Sequence, residues 1–440
     1  MKKYYAILTI ILYLFAVPSH AKKNEAVLLD SESIAWLKDM ADPLLRAADI
    51  DPKTVNIYVV RSEEINAFVT GNRDVFFYSG LILKATTPEE VQGVLAHEIG
   101  HIKGKHYIKT LAKSDDAGSP ILIGSLLSAG AAILGSPVAA MALISGALAS
   151  TQDQALKHSR SQERQADSIA IKLLNQSNTS AKGLVSFFDK LRVSNLLYSK
   201  TPPAWLITHP LPKQRISAVE NHIKNETLTE VAKPLDKERF KRIQAKLIAF
   251  TKSKDYTSRK YGYKKTPDAV YANAIVLALK GKINDAIEMI EGMSPSKASL
   301  PFHYEILAQL HQDNADYTKA HNAFKKALEI NPDLEFIRLQ MAQNLITLKR
   351  FDEAIRSLHI VAHLHPTWGS IFKSLGVAYG RKGQLFDSHI FLAKEAHLRK
   401  SQHDVKMHLQ WAEKYMEKGN KKQKKNLEEA KKILEPSEKG

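Results

Sequence analysis

Residues 89–101 read EEVQGVLAHEIGH, and the fold can be read outward from this stretch. Val91, Val94, Leu95 and Ile99 recur at helical spacing and supply one apolar face. Thr87-Pro88-Glu89-Glu90 just before it is a helix opening: a cap, a first-turn proline and acidic residues at the positive end. The spacing predicts a helix from Glu89 to about Ala112. His97 and His101 stand at i and i+4, so both imidazoles project from one face and can reach a single ion. Glu98 sits beside them, able to accept a proton from a water polarised by that ion. Gly93, Gly100 and Gly104 leave room for another backbone to approach closely. The competing reading is an exposed helix carrying two ordinary histidines.

A catalytic metal needs a third protein ligand and an open position. Cysteine is absent from all 440 residues, so that ligand is His, Asp or Glu. Disulfide frameworks, thiolate nucleophiles and thiolate metal sites are excluded with it. His106 follows His101 by five residues and would point about 140° away on a continuous helix. Residues 159–167 read SRSQERQAD, with Glu163 and Asp167 one turn apart ahead of Ile169, Ala170, Leu173 and Leu174. Glu163 is assigned as the third ligand. Asp167 is assigned as an acceptor for a ligand histidine N–H, which fixes the ring tautomer. On the residues alone, a surface face salt-bridged to Arg160 and Arg164 stays open. His209, in Thr208-His209-Pro210-Leu211-Pro212, reads as a loop residue or as part of a loop entering the cleft. Arg215 would then be available to stabilise an oxyanion.

Around these residues the chain mixes strands and helices from Lys22 to about Asn225. Ser31–Ala48 has helical periodicity, with Pro43 able to kink it. Val55–Val60, Ala67–Thr70 and Val75–Tyr78 predict a small sheet, the last two as a hairpin around Gly71-Asn72-Arg73-Asp74. Residues 1–21, MKKYYAILTIILYLFAVPSHA, read as a secretory signal peptide cleaved after Ala21. Residues 117–151 carry no charge and break at Pro120 and Pro137 into halves too short to span a bilayer. They are either small-residue helices on the core or a peripheral membrane contact; a membrane-spanning hairpin is the weaker alternative. Lys and Arg total 63 against 46 Asp and Glu, a net charge of +17. Export weakens the nucleic-acid reading of that charge, and a periplasmic location is expected with no nucleic-acid partner.

From Pro267 a 34-residue period appears. Asp285-Ala286, Lys319-Ala320, Glu353-Ala354 and Asp387-Ser388 recur at that interval, as do Ala274, Ala308, Ala342 and Gly376. Gly281 and Gly383 fall at equivalent turns. A helix–turn–helix unit of this length with small residues at close approach is the tetratricopeptide signature. Residues 226–266 are read as a connecting helix and linker, 267–401 as four repeats, and 402–440 as a helical cap and basic tail.

With HEIGH at 97–101, ERQAD at 163–167 and THPLPKQR at 208–215, the chain resembles, over nearly its whole mature length, the HtpX-like and BepA-like family of zinc endopeptidases. The signal peptide and repeats fit the members of that family that act as periplasmic proteases and chaperones in outer-membrane protein assembly. The resemblance implies an α+β zincin-like metallopeptidase domain, mostly helical with a small β-sheet, followed by an all-α tetratricopeptide-repeat solenoid. It implies one Zn²⁺ per chain held by His97, His101 and Glu163, with Glu98 as general base. His209 matches the family's loop histidine that plugs the fourth zinc position, and Arg215 matches its nearby arginine. Asn66-Ala67-Phe68 would be the strand that binds an extended substrate backbone. Expected partners are unfolded or stalled outer-membrane proteins, and the assembly machinery through the repeats. The rival is a chaperone or scaffold in which proteolysis is minor.

Overall fold

The computed structural model describes residues 26–28, 30–70, 73–106, 159–197, 204–211, 213–224, 234–262, 264–418 and 420–434. The expected signal peptide, the apolar segment 117–151 and Gly71-Asn72 lie outside them. The chain divides into two compact units between Met293 and Ser294.

In the first unit, β1 (Ala26–Leu28), β2 (Asn56–Arg61), β3 (Ala67–Val69) and β4 (Asp74–Tyr78) form one sheet in the order β1-β2-β4-β3. β3 and β4 are the expected hairpin, in antiparallel register Ala67↔Phe77, Phe68↔Phe76 and Val69↔Val75. β2 and β4 pair in parallel, and β1, which has no sequence signal of its own, adds antiparallel to β2. Val75 to Tyr78 are fully buried, as a central strand covered on both faces requires.

The helices of this unit are α1 (Ser31–Ala47), α2 (Ser79–Lys84), α3 (Pro88–Lys103), α4 (Arg160–Gln176), α5 (Lys182–Leu197), α6 (Ala204–Thr208) and α7 (Lys213–Lys224). They continue with α8 (Lys237–Thr251), α9 (Lys254–Tyr261), α10 (Pro267–Leu279) and α11 (Ile283–Glu291). α3 is the central helix, packed on α1, β3, α4 and α5. Its Val91, Val94, Leu95 and Ile99 are wholly buried. It is shorter than expected: the chain leaves the helix at Gly104, and Lys105 takes a left-handed conformation at φ +52°. Pro43 is accommodated inside α1. A buried ionic cluster ties the amino end of α1 to α8: Arg242 donates to Glu32, and Lys246 pairs with Asp30 and Glu32.

The second unit contains α12 (Leu300–Asp313), α13 (Tyr317–Ile330), α14 (Glu335–Thr347), α15 (Phe351–Leu364), α16 (Gly369–Arg381), α17 (Leu385–Leu398), α18 (Gln402–Lys414) and α19 (Lys421–Leu434). Each helix packs on the next in sequence. The small residues of the period are buried at the helix contacts, Ala308, Ala320, Ala342 and Ala354 completely. A Cβ at Gly376 would meet Leu392 at 2.7 Å, so that position admits nothing larger. The turns within successive pairs share one conformation: Gly281, Ala315, Lys349 and Gly383, 34 residues apart, all have φ between +61° and +87°. The first pair of the period, α10 and α11, belongs to the first unit, where α10 packs on α8.

Candidate metal centre

The centre lies where α3 crosses α4. Gly100 of α3 faces Ala166 of α4, and a Cβ at Gly100 would stand 2.6 Å from the Ala166 carbonyl oxygen. Gly100 sits between His97 and His101, and Ala166 between Glu163 and Asp167, so this small-residue contact sets the spacing of all four side chains. α4 opens on a capping box at Ser159 and Gln162, which places Glu163 in the first turn.

His97, His101, Glu163 and His209 present ligand atoms that all lie within 4.8 Å of one another. His97 Nε2 and His101 Nε2 are 3.1 Å apart, and Glu163 lies 3.5 Å from the first and 3.3 Å from the second. In a tetrahedron of ligands about 2.0–2.1 Å from an ion, neighbouring ligand atoms stand about 3.3 Å apart. The donor set therefore fits a small divalent metal. It combines imidazole nitrogens with one carboxylate, and all four side chains are buried.

Charge follows the same pattern. Burial opposes the ionised form of Glu163, yet His209, His101 and His97 outweigh it and hold its carboxyl well below the usual range. Burial also opposes a charge on His97. Asp167 and Glu163 outweigh it and lift that pKa to about 9. The Asp167 carboxylate lies 3.0 Å from His97 Nδ1, which leaves Nε2 directed at the common point. Glu98 is fully buried, and burial raises its pKa against the pull of His209, His97 and the Trp205 side chain.

His209 is buried at the carboxyl end of α6, with Nδ1 3.2 Å from Glu163 Oε1 and Nε2 3.7 Å from Glu98. The structure places Arg215 differently from the oxyanion role expected for it. Its Nε and Nη2 donate to Asp167 at 2.7 and 2.8 Å. Its Nη1 donates to Glu163 at 2.6 Å and to the Pro210 carbonyl at 2.7 Å. A guanidinium so engaged orients the two carboxylates and the His209 loop. Arg160 and Arg164, the partners of the surface-face reading, are exposed and take no part. Ala67 and Phe68 lie in β3, the edge strand, and Asn66 immediately precedes it, accepting from Tyr78 N at 3.0 Å.

Two contributors escaped the sequence reading. Trp205 is wholly buried and stacks on His209 with ring centres 4.7 Å apart, while its backbone N–H donates to Ile65. Its place four residues before His209, within Ala-Trp-Leu-Ile-Thr, was the available signal. His106 was set aside by its angle on a helix that in fact ends before it; its Nδ1 lies 2.9 Å from His101 Nδ1.

Two facing histidines on one helix, a carboxylate from a second helix and a lone buried glutamate beside them define a metallopeptidase centre, here in a mostly helical domain with a small sheet. Residues 31–223 match peptidase family M48, so the chain carries an M48 peptidase domain, followed by tetratricopeptide-like repeats. Residues 280–359 match the family of anaphase-promoting complex (cyclosome) subunit 3. A provisionally named beta-barrel assembly-enhancing protease of Vibrio cholerae is 25% identical over 82% of this chain and 76% of its own length. The beta-barrel assembly-enhancing protease of Escherichia coli is 30% identical over 38% of this chain, which spans only 34% of that relative. A protease HtpX homolog of Persephonella marina is 43% identical over 21% of this chain and 33% of its own.

Proposed function

We propose that the chain is a zinc-dependent endopeptidase of a bacterial periplasm that degrades misassembled or stalled outer-membrane proteins and also assists their assembly. The observation that carries this reading is the convergence of His97, His101 and Glu163 with Glu98 buried beside them. Zinc held by those three residues would polarise a peptide carbonyl and acidify water. Glu98, its pKa raised by burial, takes the proton of the attacking water and passes it to the leaving amine. The side of β3 that is unpaired among the described residues aligns an extended substrate backbone. His209 acts as a repressing fourth ligand, held by its stack on Trp205, and its loop must move before substrate enters. The names of the relatives support the substrate class, and the repeats are the surface for substrates or assembly partners.

The test is casein cleavage by wild type, Glu98→Gln and His209→Ala. Cleavage increased by His209→Ala and abolished by Glu98→Gln supports a latched protease. No cleavage by the His209 variant removes the latch. A second reading, a scaffold with minor proteolysis, is favoured by the complete burial of His209 over the centre. Assembly function that survives Glu98→Gln would support it.

A further inference from the structure

Past α3 the backbone makes an abrupt return. Gly104 is followed by Lys105 at φ +52°, a conformation that costs a residue with a side chain about 1 kcal/mol. Gly104 has an ordinary helical φ of −72°, but a Cβ there would collide with the His106 ring, so the ring takes this position because residue 104 has no side chain. The outcome is that the buried His106 imidazole lies between α3 and α4. His106 Nδ1 is 2.9 Å from His101 Nδ1, and His106 Nε2 is 3.0 Å from Gln165 Oε1. Gln162 Nε2 donates to the His106 carbonyl at 3.2 Å and pins its backbone to α4.

These contacts set the direction of two protons. Gln165 Oε1 can only accept, so a neutral His106 carries its hydrogen on Nε2 and keeps a lone pair on Nδ1. That lone pair requires a donor, so His101 must carry its hydrogen on Nδ1. A neutral His101 then has its bare nitrogen at Nε2, which faces His97 Nε2 and Glu163. The opposite arrangement would put a hydrogen on His101 Nε2 and block it as a ligand. We propose that His106 is a positioning residue that holds His101 in its metal-binding tautomer, working through Gln165. α4 thus serves both histidines of α3: Asp167 orients His97 directly, and Gln165 orients His101 through His106. The proposal rests on the metal-centre reading, but the Nδ1 hydrogen it specifies belongs to the metal-free protein as well.

The experiment uses the full chain labelled with ¹⁵N-histidine. First, the metal-stripped protein is examined by long-range ¹H–¹⁵N correlation, with His101 assigned by the loss of its signals in His101→Gln. A hydrogen on His101 Nδ1 is the expected result, whether or not Glu163 also draws one onto Nε2, and an Nδ1 without a hydrogen overturns the proposal. Second, Zn²⁺ affinity is measured by competition with a chromophoric chelator. His106→Leu, which keeps bulk but removes the acceptor, weakens binding 10- to 100-fold. His106→Gln, whose amide oxygen can accept from His101, recovers affinity to within about threefold of wild type. A leucine variant equal to wild type, or a glutamine variant no better than leucine, overturns it. Should His106→Leu fail to fold, Gln165→Met at the exposed end of the chain is the substitute. It weakens Zn²⁺ and mixes the His101 tautomers, and no change in either refutes the relay. If the wild type binds no Zn²⁺, the metal reading fails, and the tautomer measurement alone decides the role of His106.

Discussion

Gly100→Ala tests whether the α3–α4 crossing sets the metal geometry. The added Cβ would stand 2.6 Å from the Ala166 carbonyl oxygen and 3.1 Å from its Cα. Both neighbours are backbone, so no side chain can rotate aside. Reaching ordinary contact at 3.4 Å requires the helices to part by about 0.8 Å. Glu163 moves with α4. Its separations from His101 and His97, now 3.3 and 3.5 Å, then stretch to roughly 4 Å, past the tetrahedral edge of about 3.3 Å. Overpacking of this kind costs about 1–3 kcal/mol of stability. Zn²⁺ affinity should fall at least tenfold, about 1.4 kcal/mol. The assay is calorimetric titration of chelator-stripped protein with Zn²⁺, paired with thermal unfolding. Gly292→Ala is the control, because its nearest new contact is already at 3.4 Å and its φ is −69°. Wild-type affinity in Gly100→Ala, with melting equal to the control, would refute the claim that this contact spaces the ligands.

Arg215→Met leaves Glu163 and Asp167 buried without their cation and should cost about 3–5 kcal/mol in denaturant unfolding, with Arg215→Lys a poor rescue because the fork to Asp167 is lost. Asp313, both oxygens buried and without a hydrogen-bond partner, has its pKa pushed up to about 7 by burial. The folded state then holds the proton more tightly than the unfolded chain, so this group destabilises increasingly as pH rises from about 4 to 7. Asp313→Asn should stabilise by about 1–2 kcal/mol at pH 8, after allowance for partial exposure, and by almost nothing at pH 4; equal gains at both pH values in thermal melts would contradict this. Ala315→Gly removes a left-handed alanine at φ +61° and should raise stability by about 0.5–1 kcal/mol, read as a higher melting temperature of the repeats.

Much of the architecture was legible because it depends on spacing. A 34-residue period needs no tertiary information, since each helix pair must bury the same small residues against its neighbour, as Ala274, Ala308 and Ala342 do. The hairpin of β3 and β4 was visible as two β-rich runs either side of Gly71-Asn72-Arg73-Asp74. β1 was not, because three residues carry too little pattern to distinguish a strand from a loop. The end of α3 was missed for a related reason: Lys105 and His106 are compatible with a continuous helix, and no local pattern marks the left-handed turn at Lys105.

By itself the amino-acid sequence determined which residues can bind a metal and that two of them share a helical face, because i and i+4 positions on a helix are neighbours wherever the helix lies. It also determined the repeat and the absence of thiol chemistry. Only the tertiary structure decided that Glu163 and His209 reach the same point, that Arg215 is committed to Asp167, Glu163 and the Pro210 carbonyl, and that His106 stands behind His101. Apart from the local Arg215–Pro210 contact, those relations link residues about 50 to 110 positions apart or depend on where a helix stops. They follow from how closely two helices pack at Gly100 and Ala166, which no local periodicity encodes.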